Sequence, residues 1–204
     1  MSSSSPSLAE RERRELADLL AEVGPDAPTL CGGWNTAHLA AHLVVRDNRP
    51  DALFGYGLEA AGVGGPFAAW AHHAEDRLRT STPYDEVVAR VRSGPPAWLP
   101  MAWPPVARLL NGTEFAIHHE DVRRAQPDWT ARELPREDQD TLWSAAALYA
   151  RRGAGRRGVV FRRSDVAGVE KRVGAGGRIV AGEPMELLLW AAGRRDVARV
   201  EVTS

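Results

Sequence analysis

The stretch TEFAIHHEDVRRA, residues 113–125, decides how the rest of the chain is read. Glu114 and His118 stand four positions apart, so on a helix both side chains project from one face about one turn from each other. That spacing is chelating, but an E-x-x-x-H pair also occurs on many surface helices, and two donors leave a divalent ion underbound. A histidine from a second helix facing the same interior would complete a three-ligand set of the kind found in catalytic zinc sites. The six histidines, His38, His42, His72, His73, His118 and His119, all precede residue 120, so the candidate site belongs to the first two-thirds of the chain.

Working back from this segment, GWNTAHLAAHL (residues 33–43) offers the second helix. Asn35 or Thr36 suits its N-cap, and Leu39, Leu43 and Val44 recur at helical spacing. His42 sits among Ala40, Ala41, Leu43 and Val44 and is the candidate third ligand, whereas His38 lies a turn nearer the helix start. Taken alone, His42 reads first as a core histidine bonded to a carbonyl. His72 and His73 stand beside Glu75 and Asp76 and read as a solvated helix face.

Further out, residues 1–6 read as a tail, and Ser7 with Glu10 forms the S-x-x-E capping box of a first helix reaching about Val23, with Leu16, Leu19, Leu20 and Val23 as its apolar stripe. A glycine-rich loop at residues 55–66 precedes a helix near Phe67–Arg79, and Thr82-Pro83 opens another through about Arg92. After the interruption SGPPAWLPMAWPP (93–105), a helix is expected from about Pro105 to Ala125, weakened at Asn111-Gly112 so that a later start is open. A sixth helix covers about Arg136–Arg152. Beyond Gly153 the pattern changes: GVVFRR, GVEKRV, GRIV and ARVEV are short, β-branched strands bounded by glycine or turns, and GEPMELLLWAAGRR is a helix ended by Gly193. The expectation is a helical bundle at 1–152 and an α+β region at 153–204.

Acidic and basic residues nearly cancel, 27 against 26, so no whole-chain field recruits nucleic acid or an anionic membrane. No apolar run approaches the roughly 18 residues of a membrane span. The N-terminal segment lacks the apolar core of a secretory signal, and Cys31, the single cysteine, has no disulfide partner within the chain, which makes the cytoplasm the expected location. Nothing adjacent in sequence to Cys31 supplies a base or a cation, so it reads as a loop thiol. In HEDVRR, Glu120 and Asp121 could hydrogen-bond the outer nitrogen of a ligand histidine, and Arg123 and Arg124 could receive a carboxylate; an ordinary charged helix end is the equal alternative. The arginine-rich run from Arg151 to Arg163 reads as a solvated helix end and strand edge.

Together, GWNTAHLAAHL, EFAIHHEDVRRA and GEPMELLLWAAGR, in that order, resemble the DinB-like superfamily, and within it the mycothiol-dependent maleylpyruvate isomerase group of actinobacterial proteins, in particular its short metal-binding members. The resemblance implies a mainly α fold, a DinB-like four-helix bundle with additional helices and a small C-terminal α+β appendage. It also implies that His42, Glu114 and His118 bind a divalent metal, Zn2+ by ligand type. Many DinB-like proteins use three histidines, so Glu114 places the chain on the isomerase-like side, with a C-terminal part shorter than in characterised isomerases. The implied activity is a thiol-dependent transferase or isomerase with mycothiol as cosubstrate and a small electrophile as substrate. The alternatives are a non-catalytic metal-binding or sensing protein and a regulatory module that uses the α+β part as its surface. The sequence names neither substrate nor oligomeric state, and a homodimer is one arrangement it allows.

Overall fold

The computed structural model describes residues 6–49, 65–99, 102–103, 111–153 and 158–203. The chain divides into two compact units, 1–129 and 130–204. In the first unit, α1 (Leu8–Val23) opens with the capping box foreseen in the sequence: the Glu10 backbone N–H donates to the Ser7 hydroxyl, and the Glu10 carboxylate accepts from the Ser7 backbone N–H at 2.8 Å. Leu16, Ala17 and Leu20 are fully buried, with Leu19 and Val23 packed partly buried at the edge of the same cluster. Helix α2 (Thr36–Asn48) is capped by Asn35, whose side chain accepts from the His38 backbone N–H at 3.1 Å.

Helix α3 (Gly65–Ser81) is longer at both ends than the expected Phe67–Arg79, and α4 (Tyr84–Ser93) follows Pro83 directly. Helix α5 covers Gly112–Arg123; residues 104–110, where the earlier of the two starts would lie, are outside the described residues, as is most of the glycine-rich stretch at 55–66. Helices α1, α2, α4 and α5 share one apolar core containing Leu16, Leu20, Leu39, Leu43, Val88 and Phe115, while α3 lies against α2. These four helices are the bundle, and the faces they turn to one another include the side chains of the candidate site.

In the second unit, α6 (Arg136–Gly153) packs on α7 (Pro184–Ala191), every residue of which is buried. The sheet comprises β1 (Val159–Arg163), β2 (Glu170–Val173), β3 (Arg178–Gly182) and β4 (Glu201–Thr203), in the order β2-β1-β3-β4. β1 pairs antiparallel with β2 and parallel with β3, and β3 pairs antiparallel with β4. The expected boundary at residue 152 therefore differs from the observed one by a whole helix. The helical pattern alone groups α6 with the bundle, yet its apolar residues Leu142, Trp143, Ala145 and Ala146 are buried in the unit where α6 meets α7 and β2.

Phe115 is fully buried where α5 meets the core, and the Arg13 guanidinium lies 4.7 Å from its ring centroid. Phe115→Ala should destabilise the bundle by about 3–5 kcal/mol, against less than about 0.5 kcal/mol for Val202→Ala on the exposed edge strand, in denaturant unfolding followed by circular dichroism. Equal losses from the two substitutions would contradict this placement of the core.

Candidate metal centre

The i,i+4 spacing on α5 does what the sequence required: Glu114 Oε1 lies 3.2 Å from His118 Nε2. Helix α2 brings in His42, whose Nε2 lies 3.8 Å from the same oxygen. The three donor atoms lie within 4.8 Å of one another, and their side chains are 11%, 22% and 10% exposed in the order His42, Glu114, His118. Ligands bound tetrahedrally at about 2.0–2.1 Å stand about 3.3 Å apart. The triangle is thus close to chelating separation. Next to it, the Trp34 ring packs 5.1 Å, centroid to centroid, from that of His42.

Each histidine is aimed by a carboxylate behind it. His42 Nδ1 stands 2.7 Å from Glu75 Oε1 on α3, and His118 Nδ1 stands 2.9 Å from Asp121 Oδ2 on its own helix. An Nδ1–H that donates to these oxygens directs Nε2 toward Glu114 and fixes the ring orientation. Asp121 is one of the two residues expected in this role. Glu120, the other, instead accepts from Arg124 Nε at 2.6 Å and Arg123 Nη1 at 2.9 Å, and Arg124 further stacks on Trp129 at 4.5 Å. The two arginines offered as a carboxylate receptor are therefore engaged by a carboxylate of their own helix.

Glu75 was not foreseen. The pair His72-His73 next to Glu75-Asp76 reads as a solvated face, and His73 is indeed exposed, but the helical turn points Glu75 inward, where it bonds His42 with one oxygen and His72 Nδ1 with the other at 3.0 Å. A glutamate in this stretch is a signal only once α3 is known to lie against α2. His38 stays at the α2 cap, with Nδ1 2.5 Å from Asn35 Oδ1. His119 points away from His118 and bonds Glu12 of α1 at 2.8 Å.

Cys31 lies in a loop, as its sequence reading has it, but beside groups distant in sequence. The backbone N–H of Leu30 donates to the Asp121 carbonyl at 3.0 Å and Gln126 Nε2 donates to the Pro28 carbonyl at 3.1 Å, so the loop before α2 is laced to the end of α5. That contact places Cys31 Sγ 3.2 Å from Asp121 Oδ2, to which the thiol donates, and 3.7 Å from His118 Nδ1. A carboxylate and an imidazole thus adjoin a residue that has neither nearby in sequence.

Charge is arranged around Glu114. Arg46, one turn after His42 on α2, has Nε 3.4 Å from Glu114 Oε1, and its Nη1 donates to Asn111 Oδ1 at 2.9 Å and Asp47 Oδ1 at 3.1 Å. Burial works against the charged form of Glu114, but the Arg46 guanidinium and the hydrogen bonds from His118 and His42 outweigh it and hold the carboxyl well below the ordinary carboxylate range. Burial likewise disfavours a charged His118, yet its bonds to Asp121, Cys31 and Glu114 prevail and raise its pKa well above the usual histidine value. The arrangement can hold a cation on two imidazole nitrogens and one carboxylate oxygen, provided that His118 gives up its proton.

No protein-family model matches the chain, and no curated protein matches it either. Two solved structures do. The crystal structure of the mycothiol-dependent maleylpyruvate isomerase is 19% identical over 96% of this chain and 90% of that one, with a TM-score of 0.59. A histidine-to-alanine mutant of the mycothiol-dependent maleylpyruvate isomerase is 20% identical over the same shares of both chains, with a TM-score of 0.60. Over 96% of its length this chain shares the fold of those mycothiol-dependent maleylpyruvate isomerase structures: mainly helical, a helical bundle followed by a small α+β part.

Proposed function

We propose that the chain binds one divalent metal ion through His42, Glu114 and His118 and uses it in the thiol-dependent transfer or isomerisation of a small electrophile. The observation that carries the reading is the convergence of two carboxylate-backed histidines on one ionised glutamate between α2 and α5. The donor set fits such an ion: two imidazoles and a carboxylate suit zinc, and the same set also describes non-haem iron. The fold shared with a mycothiol-dependent isomerase supports the thiol half of the proposal.

A divalent ion held by three protein donors supplies a Lewis acid with a position left for a thiol, whose pKa it lowers. The chain's own residues prepare that position. Glu75 and Asp121 orient the two imidazoles through Nδ1 so that Nε2 faces Glu114, and Arg46, itself fixed by Asn111 and Asp47, keeps Glu114 ionised and in place. Trp34 shields one side of the His42 ring from water. Cys31 has its thiol hydrogen committed to Asp121, so it supports the His118 orientation and leaves attack on the electrophile to an external thiol.

Elemental analysis should find about one metal per chain, lost in His42→Ala, Glu114→Ala and His118→Ala and retained in His72→Ala and His73→Ala. Glu75→Gln and Asp121→Asn should weaken metal affinity by about 10–100-fold with helicity unchanged. Affinity should also drop by up to about tenfold per pH unit below the raised pKa of His118, because binding displaces that proton. Stoichiometric metal in His118→Ala would overturn the ligand set.

The loaded protein should conjugate or isomerise electrophiles only when mycothiol or another small thiol is added, and Cys31→Ser should keep most of that activity. If the loaded protein stays inert with every thiol across a broad electrophile panel, the ion serves binding or sensing. Conjugation that requires Cys31 would make the protein's own thiol the nucleophile.

A further inference from the structure

His42 and Glu114 occupy only one side of His118. Its Nε2 faces Glu114 Oε1 at 3.2 Å, while its Nδ1 faces a second set of donors, Asp121 Oδ2 at 2.9 Å and Cys31 Sγ at 3.7 Å. Cys31 Sγ and Asp121 Oδ2 are themselves 3.2 Å apart, so every edge of this triangle is short. Tetrahedral zinc ligands bound at about 2.3 Å through sulfur and about 2.0–2.1 Å through nitrogen or oxygen stand about 3.3–3.6 Å from one another. Each edge is thus within about half an ångström of a chelating separation, with all three donors on the same small triangle.

The backbone holds these donors in place. His118 and Asp121 lie one turn apart on α5, where they are 8% and 0% exposed. Cys31 sits in a tight turn before α2: the Trp34 backbone N–H donates to its carbonyl at 2.9 Å, its own N–H donates to Thr29 Oγ1 at 3.2 Å, and the Thr29 hydroxyl donates to the Trp34 carbonyl at 2.9 Å. The bond from the Leu30 N–H to the Asp121 carbonyl fastens that turn to α5. Cys31 is half-buried, which leaves a side from which an ion can enter.

Sulfur is the informative donor. A thiol is a weak hydrogen-bond donor, so a tie between this loop and Asp121 would be served better by a serine hydroxyl. A thiolate, by contrast, is a soft ligand that selects zinc and softer cations over hard ones. His118 can meet the ion from this side as well. With the imidazole proton on Nε2, that N–H donates to Glu114 Oε1 and the Nδ1 lone pair is presented to the sulfur and Asp121.

We propose that Cys31, His118 and Asp121 form a second metal position, one that takes a thiophilic cation. Binding replaces the hydrogen bond from the Cys31 thiol to Asp121: the thiol proton and the proton on Nδ1 pass to solvent, and sulfur, nitrogen and oxygen turn to the ion. Neither His42 nor Glu114 is a donor here, so the position stands whether or not the ligand set proposed above holds.

The test is titration of full-length His42→Ala with Cd2+, followed by the ultraviolet thiolate-to-cadmium charge-transfer band, which reports Cys31 alone because the chain has a single cysteine. The band should saturate at one Cd2+ per chain, with the affinity that the unmodified chain shows. In the His42→Ala background, Asp121→Asn and His118→Ala should each weaken Cd2+ binding by at least about tenfold, the lower limit for loss of even an outer partner of a metal ligand. Either variant decides the point provided that it keeps the circular dichroism of its parent. Zn2+ calorimetry should likewise find a site in His42→Ala that Cys31→Ser weakens by at least about tenfold. The proposal is overturned if no band forms, if His42→Ala abolishes it, if Asp121→Asn and His118→Ala bind Cd2+ as tightly as their parent, which would mean that the sulfur acts alone, or if Cys31→Ser leaves Zn2+ binding unchanged.

Discussion

A carboxylate drawn largely out of water between helices must have positive charge around it or it will take up a proton, and the first unit meets that demand at Glu114. Removing an ion from water costs several kcal/mol even after relaxation. Here the cost is offset by Arg46 and by the two imidazoles that converge on one carboxylate oxygen. Arg46 in turn is buried and needs acceptors of its own, found in Asp47 and in Asn111 at the start of α5. Asp47 passes the requirement on to Arg13 of α1 at 3.3 Å, and burial outweighs both arginines to push the Asp47 pKa up. A chain of alternating charge thus runs from α1 through α2 to α5, and it specifies the helix arrangement in a way that the apolar core, tolerant of sliding, does not.

Two consecutive histidines show how strictly the helix sorts these roles. A step of one residue turns a side chain by about 100°, so His118 faces α2 and the Glu114 oxygen while His119 faces α1 and Glu12. The first joins the polar cluster; the second ties α5 to α1 by a buried hydrogen bond. A shift of one residue in the register of α5 would exchange them, removing Glu114 and His118 together from the interior and leaving Arg46 buried without its carboxylate. The register of α5 is therefore a condition for the site as well as a feature of the fold.

Features encoded within a turn or two of chain were legible in the sequence. The Ser7–Glu10 capping box, the Asn35 cap, the pairing of Glu114 with His118 and the support of His118 by Asp121 all follow from separations of three or four residues. The choice of His42 over His38 rested on its apolar neighbours and on the DinB-like resemblance, and His42 is the histidine found beside Glu114. What was hidden depends on helices meeting. Glu75 lies 33 positions from the histidine it orients, and Cys31 lies 90 from the aspartate it bonds. The allegiance of α6 was hidden for the same reason: an amphipathic helix shows that it has an apolar face, not which partner covers it.

Cys31 is where the distinction between proximity and role has most consequence. A thiol beside a carboxylate and an imidazole resembles an activated nucleophile when only distances are considered, and activation requires a group that withdraws the proton and stabilises the thiolate. Asp121 is already bonded to His118, whose imidazole gains from that anion, and the Cys31 S–H supplies a second donor to the same oxygen. Moving the thiol proton onto Asp121 would cancel the negative charge that orients His118 and place a thiolate against a carboxyl group. In this arrangement the Cys31 S–H acts as a donor that helps to hold the Asp121–His118 pair.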